Sequence, residues 1–299
     1  MKIAVAGATG FVGSELCRLL SSMHELTILT RDTQKGHLFF GQAFTIVEFS
    51  ENRPDLLISE LEGVDAVINL AGENIAVARW TPEIKQSILN SRLESSRRLL
   101  KTFKEMPEPP KTYIISSATG YYGNRPGETL NESSPSGSGF LADVCRQNEA
   151  LAPEFESLSI RTIIIRSGPV MDRGGGALKK MMLPFRFYLG ACLGSGEQHM
   201  PWISLEDETA AIKFLLEHGS LSGVFNLTSP NPATNRQISK AIAAYLNRPC
   251  FFRLPAAALR LLMGEMAGEL LSSQQVLPER LLEAGFEFKR PLFQDVLST

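Results

Sequence analysis

Three glycines stand near the start of this chain, where an apolar run gives way to a helical pattern. The run KIAVAG, residues 2–7, is typical of a buried β-strand, and residues 11–22 have the spacing of an amphipathic helix. Gly7, Gly10 and Gly13 fill the turn between them as G-x-x-G-x-x-G. Such a junction gathers free backbone N–H groups and the positive end of the helix at one point. It therefore predicts a site for the pyrophosphate of a dinucleotide, against the alternative of a tight turn that holds no ligand.

Each glycine of this loop has a separate expected task. Gly7 allows the tight turn, Gly10 allows a phosphate to approach, and Gly13 allows the helix to pack closely on the strand. The second glycine comes one residue later than in the G-x-G-x-x-G fingerprint, so the loop is a variant of that motif.

Short apolar runs alternate with helical patterns over the first two-thirds of the chain. Near-continuous apolar runs are expected of parallel strands that are covered on both faces. They occur at residues 2–7, 25–30, 44–49, 64–72, 111–119 and 160–168, with helical patterns at 11–22, 81–106 and 140–155. The alternation predicts an α/β fold, a Rossmann-type doubly wound parallel sheet.

This regularity fades after about residue 170. Residues 172–202 are rich in glycine and aromatic residues, which favours loops and a short helix over a binding cleft. Further elements are predicted as a helix at 205–218, a strand at 223–229 and a helix at 234–247. From Arg248 onward the chain has the character of a small, mostly helical module. We therefore predict a dinucleotide-binding domain at 1–247 and a small C-terminal domain at 248–299.

Charge and composition exclude several classes of function. The net charge is −2, and lysine and arginine are mixed with acidic residues instead of forming a basic tract. Neither nucleic acid nor a membrane surface is therefore expected as a partner. No apolar run approaches the roughly 20 residues that span a bilayer, and no signal peptide is recognisable, so a cytoplasmic location is expected.

The cysteines are far apart in sequence and include no C-x-x-C pair. Free thiols in a reducing compartment are therefore predicted, and no metal site is expected. They are Cys17, Cys145, Cys192 and Cys250.

The end of the second predicted strand, TILTRD, bears on which dinucleotide is bound. NAD sites usually place an acidic residue there for the ribose 2′-hydroxyl, whereas here Thr30 and Arg31 occupy the position. An arginine accommodates a 2′-phosphate, so NADP is favoured over NAD. Asp32 is the competing signal, because a shift of one residue would reverse the inference.

Four segments carry a resemblance to a known family: AGATGFVG (6–13), VINLAGEN (67–74), YIISSATGYYG (113–123) and IIIRSGPVM (163–171). With them the chain resembles the extended short-chain dehydrogenase/reductases, which include nucleotide-sugar epimerases and dehydratases, over about residues 1–245. It is more closely similar to an uncharacterised epimerase subgroup with a C-terminal domain of unknown function. Ordered blocks at 69–75, 117–123, 182–196, 201–207 and 261–286 carry that closer likeness.

The resemblance implies a set of contacts to the cofactor. They are Gly7, Thr9, Gly10, Phe11, Val12, Gly13, Thr30, Arg31, Leu70, Ala71, Gly72, Arg92, Ser116, Leu141 and Arg166. Two of these have structural alternatives: Arg92 as a solvated helix residue and Arg166 as a structural salt bridge. The resemblance also implies a homodimer formed through the helices at 81–106 and 140–155.

One departure from the family pattern concerns catalysis. Short-chain reductases use Tyr-x-x-x-Lys on the helix after the fifth strand, where the tyrosine is the acid/base and the lysine lowers its pKa. Alignment of that helix on Glu149 puts Leu141 in the tyrosine position and Cys145 in the lysine position. The usual proton relay is therefore absent.

Other side chains are candidates to replace it. Ser117, Tyr121 and Tyr122 are predicted near the nicotinamide end and are our catalytic candidates, and the alternative for the two tyrosines is packing against the cleft. Cys145 is a weaker candidate, since no histidine is near it in sequence to activate it. His199 is a further cleft candidate.

The resemblance places a substrate cleft in the second half. Arg166, Arg186 and Gly174–Gly176 are expected to line it, and a lid is expected from residues 184–186, 194–196, Trp202 and Asp207. The leading hypothesis is an NADP-dependent oxidoreductase or epimerase-like enzyme that acts on an unknown small molecule with a non-standard acid/base. The alternative is a catalytically silent NADP-binding sensor or regulatory protein.

Overall fold

The computed structural model describes residues 1–50, 54–76 and 78–298. Its strands are β1 (Lys2–Ala6), β2 (Glu25–Thr30), β3 (Thr45–Glu48), β4 (Ala66–Asn69), β5 (Thr112–Ala118), β6 (Thr129–Leu130), β7 (Arg161–Ser167), β8 (Val170–Met171), β9 (Ala191–Leu193), β10 (His199–Met200), β11 (Ile203–Ser204), β12 (Gly223–Leu227), β13 (Ala233–Thr234), β14 (Phe252–Leu254) and β15 (Gln275–Val276). Its helices are α1 (Phe11–Leu20), α2 (Thr33–Phe40), α3 (Pro54–Glu60), α4 (Pro82–Glu105), α5 (Phe140–Glu149), α6 (Ala152–Glu156), α7 (Gly176–Arg186), α8 (Leu205–Glu217), α9 (Asn235–Leu246), α10 (Ala256–Met263), α11 (Met266–Leu271), α12 (Glu279–Glu283) and α13 (Phe293–Leu297), with a 3₁₀ turn at Thr119–Tyr122.

Within the described residues, seven strands form one parallel sheet in the order β12-β7-β5-β4-β1-β2-β3. The predicted Rossmann-type doubly wound fold is therefore confirmed. The order reverses between β1 and β4, and ligands of such sheets bind in the crevice outside the carboxyl ends of the strands at that point. The residues at those ends are Ala6, Asn69, Ala118 and Ser167.

Helices cover both faces of the sheet. Along β1, Ile3 and Val5 point into one apolar layer, while Ala4 and Ala6 point into the other, and all four are fully buried. The first layer includes Leu16 of α1 and Ile212 of α8, and the second includes Leu57 of α3, Leu99 of α4 and Phe155 of α6. This two-sided burial is why the strands read as unbroken apolar runs.

The helix predicted at 81–106 is α4, and its start is as the sequence indicates. The Thr81 hydroxyl accepts a hydrogen bond from the Ile84 N–H at 3.3 Å, and Pro82 takes the first helical position, where its missing N–H costs nothing. The single helix predicted at 140–155 is wrong, because two helices, α5 and α6, occupy that stretch. Pro153 would clash with the preceding turn inside a continuous helix, but it is tolerated in the first turn of α6.

The region after residue 248 is largely helical, as expected, and packs into the body of the protein. Strand β14 pairs with β9, and β15 pairs with β6. Val276 lies in a buried cluster with Tyr122 and Leu130, while Phe293 packs edge-to-face against Trp202. The domain boundary at 247/248 stays a prediction. The last residue of the predicted C-terminal domain, Thr299, lies outside the described part of the chain.

Two surface features bear on partners. No helix in the described ranges is both long and apolar enough to cross a membrane. The outward face of α4 is polar, with Glu83, Gln86, Ser87, Glu94 and Lys101 exposed, so the homodimer implied for this helix stays a prediction.

Candidate functional site

The glycine loop joins β1 to α1 as predicted. Gly7 has a φ of +79°, and a Cβ on it would lie 2.6 Å from the Leu70 carbonyl carbon. A Cβ on Gly13 would lie 2.3 Å from the Gly7 carbonyl oxygen, so helix and turn pack too closely for any side chain there. A Cβ on Gly10 would meet only the Gly7 oxygen, at 3.1 Å. The loop is thus closed toward the protein and open outward at Gly10.

The start of α1 is suited to an anion. Gly10 is the N-cap residue and supplies no side-chain hydrogen bond, and the first turn contains no acidic residue. The first helical N–H groups, those of Phe11, Val12 and Gly13, have no partner within the helix. Because they point to the open side of the loop with the positive helix end behind them, they fit a pyrophosphate.

The glycine turn at 174–176 packs against the glycine loop between β1 and α1. A Cβ on Gly175 would stand 2.3 Å from the Phe11 ring, and one on Gly176 would stand 2.6 Å from it. This turn, predicted in the substrate cleft, therefore packs beside the predicted cofactor loop. A contact between residues more than 160 positions apart left no local signal in the sequence.

At the next strand end, Arg31 and Asp32 differ in their surroundings. The Asp32 carboxylate accepts a hydrogen bond from the Lys35 N–H at 2.9 Å and caps α2, and the Asp32 N–H donates to the Thr30 hydroxyl at 3.3 Å. Arg31 is exposed and lines an open cavity of about 780 Å³ between this turn and α4. The acid therefore caps a helix, while the cation lines a cavity to which α4 also contributes acidic side chains.

Leu70, Ala71 and Gly72 follow β4 and lie beside the glycine loop. Asn69 holds this segment, since its side-chain oxygen accepts a hydrogen bond from the Ala71 N–H at 3.2 Å. The Asn69 amide also donates to Ser95 at 2.8 Å and to Tyr113 at 3.0 Å, which ties the turn to α4 and β5. Sequence reasoning missed this buried asparagine.

Arg92 reaches the same segment from α4. Its Nη1 donates to the Glu73 carbonyl at 3.2 Å and to the Ile88 carbonyl at 3.0 Å, and a Cβ on Gly72 would lie 3.0 Å from its Cζ. Burial lowers the pKa of Arg92, and the negative charge of Glu73 acts in the opposite direction. The alternative of a solvated helix residue is therefore wrong.

In α5, Leu141 packs against the 3₁₀ turn that follows β5, and Cys145 packs against the end of β5. Leu141 Cβ would lie 3.0 Å from a Cβ on Gly120, and the Cys145 thiol donates to the Ala118 carbonyl at 3.6 Å. Burial raises the pKa of the Cys145 thiol, and the positive charge of Arg92 only partly offsets this. The thiol form is favoured, which disfavours Cys145 as a nucleophile.

A buried ion pair joins α5 to β7. Arg166 Nη2 donates to Glu149 Oε2 at 2.7 Å and Nε donates to Oε1 at 3.0 Å, so the pair is bidentate. The Ser117 hydroxyl donates to the same Glu149 oxygen at 2.6 Å. For Arg166, the structure supports the salt-bridge alternative. Ser117 turns toward Glu149, and its predicted catalytic role stays a prediction.

The two tyrosines of the 3₁₀ turn differ in their surroundings. Tyr122 is fully buried, donates to Asn226 Oδ1 at 2.7 Å and accepts from Arg166 Nη1 at 3.0 Å. Burial raises the pKa of Tyr122 to about 12. Tyr121 is half-buried with its ring 3.4 Å from Arg166 Cζ, and its hydroxyl has no hydrogen-bond partner among the described residues. Of the two hydroxyls, that of Tyr121 is therefore the one available to a ligand.

A buried carboxyl group lies at the end of β7. The Ser167 hydroxyl donates to Glu208 Oε1 at 2.6 Å, while Oε2 has no partner within the residues described. Burial raises the pKa of Glu208 to about 8. Sequence reasoning missed this group, because Glu208 stands among acidic residues at the start of a helix, where a carboxylate is expected to interact with the helix dipole.

The residues predicted to form a lid divide into two groups. Arg186 is exposed, whereas Trp202 is fully buried and Asp207 accepts hydrogen bonds from the Lys289 and Arg290 N–H groups at 2.8 and 3.0 Å. His199 lies in β10, where its carbonyl accepts from the Gln274 N–H at 3.1 Å. Trp202, Asp207 and His199 therefore fix the C-terminal region to the body.

A doubly wound sheet with an open glycine loop at its reversal point defines a dinucleotide-binding protein of the Rossmann class. Residues 3–144 match the NAD dependent epimerase/dehydratase family, and residues 254–299 match a domain of unknown function (DUF1731). The chain is 37% identical to the chloroplastic epimerase family protein SDR39U1 homolog of Arabidopsis thaliana, over 99% of this chain and 86% of that protein. It is 34% identical to epimerase family protein SDR39U1 of Homo sapiens, over 97% and 96%. The chain belongs to this epimerase family.

Solved structures agree with this assignment. The human epimerase family protein SDR39U1 (isoform 2), crystallised with NADPH, superposes with a TM-score of 0.84 at 32% identity, over 99% of this chain and 98% of that one. The UDP-glucuronic acid 4-epimerase of Bacillus cereus superposes at 0.78 over 100% and 97%, but its 17% identity shows the fold alone.

Proposed function

We propose that this protein binds NADP(H) at the glycine loop and uses it as an oxidoreductase or epimerase-like enzyme on a small molecule. The single observation that carries the preference for NADP(H) over NAD(H) is found at the end of β2, where Asp32 caps a helix and Arg31 faces the cavity. The NADPH present in the human relative's crystal structure supports the same choice. When bound, such a cofactor supplies hydride transfer to or from carbon.

The residues of the loop would hold the pyrophosphate, and Arg31 would hold the 2′-phosphate. Leu70, Ala71 and Gly72 follow β4, the neighbouring strand of the sheet, and lie beside the loop, where the ribose and adenine would pass. Ser116 and Leu141, at the end of β5 and the start of α5, would border the nicotinamide. This placement of the residues around the cofactor is supported by the sheet, because these elements meet at its common edge.

We propose Tyr121 as the acid/base in place of the missing tyrosine of α5. Its hydroxyl is uncommitted among the described residues, whereas Tyr122 is engaged by Asn226 and Arg166. The cation of Arg166 lies against the Tyr121 ring and holds it in place, since a guanidinium over an aromatic face is attracted to the ring. Arg166 is itself fixed by Glu149.

The second candidate, a catalytically silent NADP-binding regulatory protein, is favoured by one observation. Leu141 and Cys145 fill the positions that face the end of β5, and neither side chain carries a charge there at neutral pH. Without a proton donor on α5, a protein can bind the cofactor and yet turn over no substrate.

The cofactor proposal is tested by titrating purified protein with NADPH and NADH and following the fluorescence of the bound cofactor. We expect a preference for NADPH of about ten- to a hundredfold, the worth of one or two charge-assisted hydrogen bonds. Arg31→Ala should remove most of this preference and leave NADH affinity unchanged. Lys35→Ala is the matched control, an exposed cation on the next helix. Equal affinity for both cofactors in the wild type would refute the proposal.

The catalytic proposal is tested by following NADPH oxidation against a panel of small carbonyl compounds. Tyr121→Phe should lower kcat by about 10²- to 10⁴-fold, the usual contribution of an acid/base. Tyr122→Phe should keep kcat within a few-fold, because its hydroxyl bonds only to the protein. Tight NADPH binding without turnover across the panel would favour the silent protein.

A further inference from the structure

Two cysteines that are distant in sequence meet at the junction of the body and the C-terminal region. Cys192 lies in β9, and Cys250 lies between α9 and β14, 58 residues further on. Their sulfur atoms are 3.8 Å apart, in van der Waals contact. A disulfide bond requires about 2.05 Å, so the sulfurs need to close by only about 1.8 Å.

The surrounding backbone keeps the two thiols together. Strand β14 pairs with β9 in register, with Arg253 opposite Cys192, and the Gly194 N–H donates to the Leu254 carbonyl at 2.9 Å. The Leu193 N–H donates to the Asn235 side chain at 2.8 Å, which fixes β9 to α9. The contact between the sulfurs is therefore a property of the fold at this junction.

We propose that Cys192 and Cys250 form a redox-sensitive pair that closes a reversible disulfide between β9 and the segment leading into the C-terminal region. Cys250 is partly exposed and is the thiol that an oxidant reaches first, while Cys192 is buried beneath it. The other two cysteines cannot take part, because Cys17 is fully buried in the sheet core and Cys145 packs against the Ala118 carbonyl.

The chemistry requires a two-electron oxidant of the hydroperoxide class. The Cys250 sulfur attacks a peroxide oxygen, the O–O bond breaks, and a sulfenic acid and one water form. The Cys192 sulfur then attacks the sulfenic sulfur, the S–O bond breaks, and the disulfide and a second water form. Two thiols have then given two protons and two electrons to hydrogen peroxide. A thiol reductant reverses the reaction by exchange.

The environment of Cys250 sets the pH dependence of the reaction. Burial and the neighbouring Cys192 thiol raise the pKa of Cys250 to about 11, and the cation of Lys240 on α9 acts in the opposite direction. Since the thiolate is the reactive form, oxidation should accelerate about tenfold for each pH unit between pH 7 and 9. The pair is thus slow at neutral pH and responds to sustained oxidant.

The test treats the full-length protein with hydrogen peroxide and maps its peptides by mass spectrometry without reduction. We expect loss of two hydrogens, one crosslinked peptide pair that contains Cys192 and Cys250, and full reversal by dithiothreitol. Cys250→Ser, at a partly exposed position, and Cys192→Ala should abolish the crosslink, and Cys17→Ala should retain it. The oxidised wild type should also unfold at a higher temperature than the reduced protein, whereas oxidant should not raise the Tm of Cys250→Ser.

Three outcomes would overturn the proposal. They are a map in which both thiols stay free under oxidant, one in which Cys250 is oxidised to a sulfinic acid without crosslinking, and one in which the main product is a disulfide between two protein molecules. None of these measurements involves NADPH, so the proposal stands or falls apart from the cofactor site.

Discussion

Replacement of Glu149 by leucine tests whether the ion pair at the end of β5 holds the candidate site together. The side chains of Arg166 and Glu149 are 4% and 9% exposed, and the Glu149 carboxylate accepts three hydrogen bonds, one from Ser117 and two from Arg166. Glu149→Leu leaves the guanidinium buried with Tyr122 as its one remaining hydrogen-bond partner among the described residues. Removal of one member of a buried pair costs about 3–5 kcal/mol, a large part of the roughly 5–15 kcal/mol that stabilises a typical domain.

Urea unfolding followed by circular dichroism measures this loss. With a slope of about 3 kcal/mol/M, a cost of 3–5 kcal/mol moves the midpoint down by about 1–1.7 M. The double variant Glu149→Leu/Arg166→Met should recover much of the loss, because it removes the uncompensated charge and restores apolar packing. A single variant that unfolds within about 0.3 M of the wild type would refute the reasoning, as would a double variant less stable than the single one.

Two further predictions concern buried groups near the same edge. The pKa of Glu208 is raised to about 8 in the folded protein, so between its unfolded value near 4.3 and pH 8 the folded state binds the extra proton. Stability therefore falls as pH rises across this window, and the loss is complete once pH has passed 8. Glu208→Gln should flatten that part of the pH–stability curve in urea unfolding at pH 6 and 9, and an unchanged curve would show that Glu208 does not carry it. Gly13→Ala should cost about 1–3 kcal/mol because its Cβ meets backbone 2.3 Å away, whereas Gly268→Ala in α11, with nothing within 4 Å, should stabilise by up to about 1 kcal/mol. Equal thermal shifts for the two alanines would show that Gly13 is not packed as described.

The parts of the fold that are local could be predicted from the sequence. Apolar runs marked the strands of the sheet, Thr81 and Pro82 marked the start of α4, and the glycine spacing marked the turn into α1. The failures have two causes, a local signal at Pro153 that was overlooked and tertiary contacts that the sequence does not display. The break between α5 and α6 requires knowing that Pro153 begins a new turn, and the short strands β14 and β15 exist only because they find partners in β9 and β6.

In the candidate site, too, the residues that could be predicted differ from the contacts that could not. The loop residues and Arg31 were identified because backbone spacing and strand ends can be seen in a sequence. The partners of Arg166 could not be identified, since Glu149 lies on α5 and Tyr122 lies in the turn after β5. Likewise, four cysteines with no motif gave no sign that Cys192 and Cys250 touch.

Under the proposed function, the two tasks that α5 performs in ordinary short-chain reductases move to other elements. The cation moves to Arg92 on α4, which is held by the Glu73 and Ile88 carbonyls and whose charge acts on Cys145 in the old lysine position. The proton donor becomes Tyr121, which lies in the 3₁₀ turn after β5. Its ring lies against Arg166, which is paired with Glu149.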